Sequence, residues 1–560
     1  MNAEPALVDA LASVRVELSA VELGLELASA ERARTVRAEL VSQIGDYLLP
    51  RLRQMDAPLL MVVGGSTGAG KSTLVNSVVG TTLTEAGVLR PTTRGAVLAL
   101  NPADLHWFED DRVLPELART TGGGGTPSEL RLAPTEGLPA GLALLDAPDI
   151  DSVVAENRAL GAQLLAAADA WLFVTTAARY ADAVPWGLLE GARERGTALA
   201  IVLNRVPADA VAEVSAHLRE LLAERGLDDA ELLVVREAVL EDGRIPAPEL
   251  AQVRRWLDDL AEDAARRQTL VRRTLTGALD TVPARVGVVE AALAEQRAAA
   301  EELRAEARRS YRRALEDVDD VVRSGSLLRG EVLARWHEVI GSGDLMRALE
   351  SRIGWVRDRV RSVLTGKPSS ARELEAAVET SVDAVLVAAA DRAAERAARA
   401  WWEHPAGRVL VADSGLDTAS PGLEAAIRDE IRAWQGQVFE LVQREGMSKR
   451  TTARLASLGV NGAGLTVMIA VFAHTGGLTG AEVVVAGGTS ALSQKVLEAI
   501  FGDQAVRSLA ERAREDLLER AATLLAGEER RFEGVLELVA PDDESPERLH
   551  AALRSFVAAR

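Results

Sequence analysis

The sequence contains no cysteine. This absence excludes disulfide bonds, thiolate catalysis, iron–sulfur clusters and zinc sites built on cysteine. The six histidines are scattered along the chain, and their spacing matches no metal-binding pattern. We therefore expect neither sulfur chemistry nor a histidine-based metal centre.

Lysine is also scarce. Of 64 basic residues only four are lysines, at positions 71, 367, 449 and 495, and the formal net charge is −20. A duplex-binding protein usually carries a basic domain, so this charge argues against nucleic acid as a partner. The first residues carry acids where a secretory signal would be basic, and we expect a cytoplasmic location.

The length predicts more than one structural unit. A single hydrophobic core rarely exceeds ~250–300 residues, and the chain has 560. Apolar residues recur at helical spacing in 6–50, 266–450 and 503–538. The first stretch is expected to pack against helices from both 266–320 and 503–538. The expected segments are 1–55, helical; 56–265, mixed; 266–454, helical; 455–502, apolar and glycine-rich; and 503–560, returning helices.

Between positions 56 and 265, six short apolar runs alternate with helical patterns. Runs in which nearly every residue is apolar predict strands buried on both faces, as in a mostly parallel sheet covered by helices. The runs lie at 59–64, 95–100, 142–146, 170–176, 198–204 and 231–235. The expected fold class is an α/β domain with a mostly parallel sheet, joined to a long all-α bundle or stalk contributed by N- and C-terminal segments.

A phosphate-binding motif follows the first of these runs. Gly65 through Ser72 fit the pattern G-x-x-x-x-G-K-[ST], between a strand and a predicted helix. In such a loop the backbone N–H groups turn toward phosphate oxygens, a lysine reaches the β- and γ-phosphates, and the hydroxyl binds Mg²⁺. The residues predicted to line the nucleotide are Gly65, Ser66, Thr67, Gly68, Ala69, Gly70, Lys71, Ser72 and Thr73.

Other candidate site residues occur at suitable distances along the chain. Thr92 and Thr93 precede the second run, where a threonine can bind Mg²⁺ and sense the γ-phosphate, and Thr93 is the preferred candidate. Asp146 ends an apolar run and is suited to hold Mg²⁺ through a water. Asn204 and Arg205 end a later run, at the position where GTPases read the base.

With these elements in this order, the chain resembles the translation-factor-like class of P-loop GTPases, and within it the bacterial dynamin-like proteins. The loop GGSTGAGKST and the switch motif DAPDIDS are similar to those of actinobacterial dynamin-like GTPases. The resemblance implies GTP or GDP with Mg²⁺, a helical neck on both sides of the GTPase domain, and a stalk with a membrane-binding tip. It also implies self-association as a homodimer, a larger assembly or a pair with a paralogous GTPase.

The sequence departs from the family pattern within these motifs. Thr67 stands where dynamins carry a glutamine that helps to arrange the attacking water, and Asp149 replaces the usual switch glycine. The base-reading motif [NT]-K-x-D is N-R-V-P at 204–207, so the aspartate that pairs with guanine is missing. Guanine preference therefore follows from the resemblance. We expect slow or assembly-stimulated hydrolysis, with Lys71, Thr67 and Thr93 as the catalytic candidates.

Residues 455–494 are unusually poor in charge. Glu482 is the only formal charge between Arg454 and Lys495. Such a surface must be covered by protein or by lipid, and its apolar runs are shorter than the ~20 residues that span a bilayer. Two interpretations stay open. The stretch is either a helical hairpin that enters an anionic membrane beside the basic residues at 449–454, or a hairpin buried in the helical bundle.

The leading hypothesis is a dynamin-like GTPase that hydrolyses GTP with Mg²⁺ and couples this to self-association and remodelling or tethering of the inner membrane. The expected partners are a guanine nucleotide, anionic lipid and further copies or a paralogue, without nucleic acid. Peripheral association with the cytoplasmic membrane is the expected location. Two alternatives remain: a nucleotide-gated scaffold with negligible hydrolysis, favoured by the missing glutamine, and a P-loop ATPase, for which the missing aspartate leaves room.

Overall fold

The chain folds into two compact units. The computed structural model describes residues 5–84, 95–110, 113–114, 117–120, 129–148, 155–194, 196–323, 368–445 and 503–560. The first unit contains 1–23, 28–295 and 541–560, and the second contains 24–27 and 296–540. Both ends of the sequence therefore belong to the first unit.

An eight-stranded sheet forms the centre of the first unit. Its strands are β1 (Leu59–Gly65), β2 (Ala96–Leu100), β3 (Ala118–Thr120), β4 (Glu129–Pro134), β5 (Leu142–Asp146), β6 (Ala170–Thr176), β7 (Ala198–Val206) and β8 (Glu231–Arg236). Every apolar run predicted to be a strand is a strand. The sequence pattern does not predict β3 and β4, because β3 is very short and β4 is only partly buried.

The strand order is β3-β4-β2-β5-β1-β6-β7-β8. β2 runs antiparallel to β5, and every other neighbouring pair is parallel. The predicted mostly parallel sheet is thus confirmed. Because β1, β5, β6 and β7 are parallel, their carboxyl ends lie at one edge of the sheet, where open α/β sheets bind ligands.

Helices cover both faces of this sheet. Along β1, Leu60 and Val62 belong to one apolar core, and Leu59, Met61 and Val63 belong to another. Successive side chains of a strand point to opposite faces, so each core lies on its own side of the sheet. The described α-helices of the whole chain are α1 (Pro5–Ala20), α2 (Ala30–Gln43), α3 (Leu49–Arg53), α4 (Lys71–Val79), α5 (Ala155–Ala166), α6 (Ala183–Glu194), α7 (Val211–Glu224), α8 (Ala247–Glu262), α9 (Ala264–Arg323), α10 (Pro368–Glu403), α11 (Pro405–Val411), α12 (Leu423–Glu445), α13 (Asp503–Glu537) and α14 (Ser545–Ala559). A π-helical turn (Ile44–Leu48) joins α2 to α3, and a 3-10 helix (Pro102–Trp107) follows β2.

The N-terminal helical stretch is interrupted. Residues 21–29 separate α1 from α2, whereas the sequence pattern predicts helix throughout 6–50. Leu11, Val14 and Leu18 of α1 are fully buried in a core that also includes residues of α9 and α14. This core agrees with the predicted packing against 266–320. The other predicted partner, 503–538, belongs to the second unit, where Leu25 of the break after α1 shares an apolar core with Phe532 and Leu536 of α13. The presence of α14 in the core of α1 is not predicted from the sequence pattern.

The regular secondary structure of the second unit is all helical over its described residues, as the predicted all-α bundle requires. Its core includes Trp401 and Trp434. The indole N–H of Trp401 donates to the carbonyl of Leu303 at 2.9 Å, and that of Trp434 donates to Ala513 at 2.8 Å. Trp401 also meets Phe532 edge to face, with 5.0 Å between the ring centres. These large side chains join neighbouring helices by apolar contact and one hydrogen bond each.

The stretch at 455–494 lies outside the described residues, as do the basic residues at 449–454. The predicted hairpin therefore stays a prediction. Among the helices in the described ranges, none combines the length and apolar character needed to cross a bilayer.

A buried ion pair fastens α3 to the amino-terminal edge of the sheet. Arg51 Nε donates to Asp169 Oδ1 at 2.9 Å, and a second N–H of the guanidinium contacts the other carboxylate oxygen. Asp169 directly precedes β6, is fully buried, and also accepts the backbone N–H of Leu60 at 2.8 Å. Arg51 further donates to the carbonyls of Ala57 and Pro58, both at 3.0 Å. One buried pair thus joins the N-terminal helices to two central strands.

Two neighbouring residues complete this junction. The hydroxyl of Thr274 on α9 donates to the backbone carbonyl of Asp169 at 2.9 Å. Burial first, and then the negative charge of Asp169, raise the pKa of Tyr47 well above its usual value. The Tyr47 hydroxyl therefore stays neutral at physiological pH, and Asp169 supplies the negative charge that balances Arg51.

Candidate functional site

β1 and α4 are joined by a tight loop whose backbone requires glycine. Gly65, Gly68 and Gly70 have φ angles of +144°, +79° and +94°, which side-chain-bearing residues rarely adopt. A Cβ atom at Gly65 would lie 2.1 Å from the carbonyl oxygen of Val174, and one at Gly70 would lie 2.6 Å from the amide nitrogen of Asn204. At Gly65 and Gly70 both the φ angle and the nearby atoms call for glycine, and at Gly68 the φ angle favours it.

Lys71, the first residue of α4, closes this loop. Its buried ammonium donates to the carbonyl of Gly65 at 2.8 Å and to that of Ser66 at 3.2 Å. A buried charge needs such partners, and the loop supplies them from its own backbone. Ser72 and Thr73 follow in the first turn of α4. The structure therefore brings the predicted phosphate-binding residues together in one loop and one helical turn.

The polar groups of this loop fit an anionic ligand. Ser66 is only 1% exposed, and its hydroxyl has no hydrogen-bond partner among the residues described. Buried hydroxyls normally make a hydrogen bond. The N-terminus of α4 adds backbone N–H groups that attract negative charge. The donors of the loop and helix therefore suit a phosphate group.

The predicted Mg²⁺ ligands are described only in part. Asp146 ends β5, is fully buried, and pairs in register with Val63 near the end of β1. It thus lies at the same sheet edge as the loop, with Ser72 half-buried at the start of α4. Thr93 and Asp149 lie outside the described residues. Within the described ranges no group of three or more His, Cys, Asp or Glu side chains could hold a metal ion. The predicted Mg²⁺ ligands are of another kind, because they comprise two hydroxyls, of Ser72 and Thr93, and one carboxylate, of Asp146.

Asn204 contacts the loop from the end of β7. Its amide N–H donates to the carbonyl of Ala69 at 2.8 Å, and its amide oxygen accepts the backbone N–H of Arg205 at 3.0 Å. Arg205 is exposed and has a left-handed φ of +54°. One of its guanidinium nitrogens lies 3.6 Å from the place a Cβ on Gly70 would take. Both residues therefore lie against the phosphate loop, and their base-reading role stays a prediction.

Replacing Asn204 with alanine should weaken nucleotide binding about 5- to 100-fold. The change removes the donor to Ala69, and leaving a buried hydrogen-bond partner unsatisfied costs about 1–3 kcal/mol. Because this contact is made to the loop and not to a base, GTP and ATP should lose affinity by the same factor. Titrations with fluorescent analogues of both nucleotides measure the effect. A loss confined to GTP would show instead that the amide reads the base.

A contact that the sequence analysis does not predict comes from the loop after β6. Arg179 donates one guanidinium N–H to the carbonyl of Thr67 at 2.6 Å and another to the carboxylate of Asp182 at 2.9 Å. Arg179 and Thr67 are 112 positions apart in the sequence. The only sequence feature that could have indicated this contact is the position of Arg179 just after β6. The carboxyl end of β6 lies beside that of β1, where the phosphate loop begins.

Comparisons with known proteins give only distant likenesses. No family model matches the chain, and no curated protein matches it. Two structures of an oligomerised bacterial dynamin pair align with 98% and 93% of this chain and 94% and 91% of their own, each at 10% identity, with TM-scores of 0.31 and 0.32. The bacterial dynamin GTPase LeoA from ETEC aligns with 95% of this chain and 97% of its own, at 14% identity and a TM-score of 0.24. Similarity this weak carries no functional argument, which must come from the residues of the site.

Proposed function

We propose that the first unit binds a guanine nucleoside triphosphate with Mg²⁺ and hydrolyses it. The supporting observation is the loop between β1 and α4, in which glycines of positive φ surround a buried lysine at the carboxyl edge of a mostly parallel sheet. This arrangement offers backbone N–H groups and one cation to phosphate oxygens. Ser72, Asp146 and Thr93 would hold Mg²⁺, which would neutralise charge on the phosphates.

Hydrolysis is proposed to be slow until the protein assembles. Lys71, Thr67 and Thr93 are the residues proposed to act on the γ-phosphate. Thr67 stands where related GTPases carry a glutamine, so its short hydroxyl must replace a long amide in orienting water. The same replacement favours a second candidate function, a nucleotide-gated scaffold that binds GTP with negligible turnover.

The proposed preference for guanine over adenine is weak. The amide of Asn204 is engaged with the phosphate loop, and Pro207 stands where the motif would provide an aspartate. A site rejects an analogue strongly only when its own polar groups would be left unpaired by that analogue. The aspartate that would pair with guanine is absent here, so adenine would leave fewer groups of the site unpaired. A P-loop ATPase is therefore the alternative, and competition between GTP and ATP tests it.

We also propose self-association and peripheral attachment to the inner face of the cytoplasmic membrane. The support is compositional: Glu482 is the only formal charge between Arg454 and Lys495. The basic residues just before this stretch would each add about 1 kcal/mol near an anionic surface.

Hydrolysis assays with GTP and ATP, with and without anionic liposomes, test these proposals. We expect GTP turnover to exceed ATP turnover and to rise on liposomes. Charged replacements of Val467, Ile469 and Phe472 should abolish liposome flotation and stimulation and leave the basal rate unchanged. Tight GTP binding without turnover would favour the scaffold, and equal or faster ATP turnover would favour the ATPase. A triple variant that floats normally but unfolds at a lower temperature would assign the stretch to the protein core.

A further inference from the structure

The backbone carbonyls of the phosphate loop are held by side chains from three different elements. Lys71 of α4 donates to the carbonyls of Gly65 and Ser66. Asn204 of β7 donates to that of Ala69. The carbonyl of Thr67, between these two, accepts a hydrogen bond from Arg179, in the loop that follows β6. Since a peptide's C=O and N–H point in opposite directions, fixing the carbonyls also fixes the directions of the N–H groups.

We propose that Arg179 is a positioning residue for triphosphate hydrolysis that acts within one molecule. This inference rests on the proposed nucleotide hydrolysis and adds a residue to it. Arg179 holds the Thr67 peptide, at the loop position where related GTPases carry their water-orienting glutamine. Its guanidinium also brings a positive charge beside the phosphate loop.

The loop that carries Arg179 is itself held in place. The backbone N–H groups of Arg179 and Tyr180 both donate to the carbonyl of Thr176 at 3.0 Å, which forms a turn directly after β6. The hydroxyl of Tyr180 lies 2.7 Å from Nδ1 of His217 on α7. The carboxylate of Asp182 accepts from Arg179 Nε and sets the plane of the guanidinium. The turn and these two contacts orient Arg179 toward the phosphate loop.

The charge of Arg179 should matter more during hydrolysis than during binding. Phosphoryl transfer spreads negative charge over the γ-phosphate oxygens, and fixed positive groups that meet this charge lower the barrier. In bound GDP that charge is absent, and Lys71 serves the remaining phosphates. Since Arg179 is 41% exposed and paired with Asp182, water and the carboxylate screen part of its charge. We expect an effect on turnover of about 10- to 100-fold, below that of a fully desolvated donor.

The test compares Arg179→Ala with Arg179→Lys and with Arg219→Ala, which removes an exposed arginine from α7 of the same unit. For each variant we would measure kcat and KM for GTP, the Kd for GDP, and the Kd for GDP with aluminium fluoride, which mimics the transferring phosphoryl group. Arg179→Ala should lower kcat about 10- to 100-fold and weaken binding of GDP with aluminium fluoride by a similar factor, while the Kd for GDP changes less than about threefold. Arg179→Lys should recover part of the loss, and Arg219→Ala should match the wild type.

Several results would overturn the inference. An unchanged kcat and unchanged aluminium fluoride binding in Arg179→Ala would show that the contact with Thr67 is incidental. Equal losses of affinity for GDP and for GDP with aluminium fluoride would show that the arginine only maintains the loop. If the wild type binds GTP without turnover, the aluminium fluoride measurement decides alone. A wild type that binds no nucleotide would refute the proposed function and this inference with it, whereas normal wild-type hydrolysis with an unaffected variant refutes only the inference.

Discussion

Replacing Lys71 with alanine is expected to weaken triphosphate binding by at least about 100-fold. The ammonium is buried inside the phosphate loop and bonded to the carbonyls of Gly65 and Ser66. Each hydrogen bond between a charged donor and a phosphate oxygen contributes about 1.5–3 kcal/mol. The other lysines, at 367, 449 and 495, fall outside the sequence ranges of the first unit, so that unit has no second lysine to replace it. Titration with a fluorescent GTP analogue measures the loss.

Two controls separate lost charge from lost structure in this experiment. Lys367→Ala removes a lysine from outside the sequence ranges of the first unit and should bind GTP as the wild type does. Lys71→Arg keeps the charge but substitutes a planar fork for a compact ammonium, and it should restore binding only in part. The melting temperature of each variant shows whether the fold persists. Wild-type affinity in Lys71→Ala would contradict the assignment of this loop to phosphate binding.

The strands of the sheet could be predicted from the sequence where all their side chains are buried. β1, β5 and β6 are buried at every position, so their sequences are continuous apolar runs that signal a parallel sheet. The first four residues of β4 alternate between half-buried and buried positions. Glu129 and Arg131 occupy the half-buried ones, so the segment does not form a continuous apolar run. Partly exposed strands of this kind depend on their neighbours more than on their own sequence. The local pattern therefore predicts the strands with long apolar runs, including β8 at one edge, and misses the short β3 and the partly exposed β4 beside it.

The contacts that depend on distant segments could not be predicted. The break between α1 and α2 contains Gly24, where a Cβ atom would lie 2.4 Å from the carbonyl oxygen of Val539. Nothing near Gly24 in the sequence reveals this approach. In the same way, the motif predicts that Lys71 and the glycines line a phosphate, but Arg179 joins the loop from 112 positions away. Periodicity and motifs record local geometry, whereas these contacts follow from the assembled fold.

The second large effect is expected at the amino-terminal ends of β1 and β6, opposite the phosphate loop. Asp169→Ala should lower the free energy of unfolding of the first unit by about 3–5 kcal/mol, because it leaves the guanidinium of Arg51 buried without its partner. The backbone N–H of Leu60 loses its acceptor as well. The chain has two units, so a single melting curve would mix their transitions. Hydrogen exchange of peptides from β1 and β6 along a denaturant series reports the first unit alone.

An exposed ion pair in the same unit provides the matched control. Arg273 and Asp229 form a pair at 2.5 Å, but their side chains are 64% and 60% exposed. Water solvates both charges after either is removed, so Asp229→Ala should cost less than about 1 kcal/mol. The double variant Arg51→Met with Asp169→Leu removes both buried charges, and it should be less destabilised than the sum of the single changes. It should not regain wild-type stability, because the carbonyls of Ala57 and Pro58 lose their donor. Equal costs for Asp169→Ala and Asp229→Ala would mean that water reaches Arg51 and that this pair does not fasten α3 to the sheet.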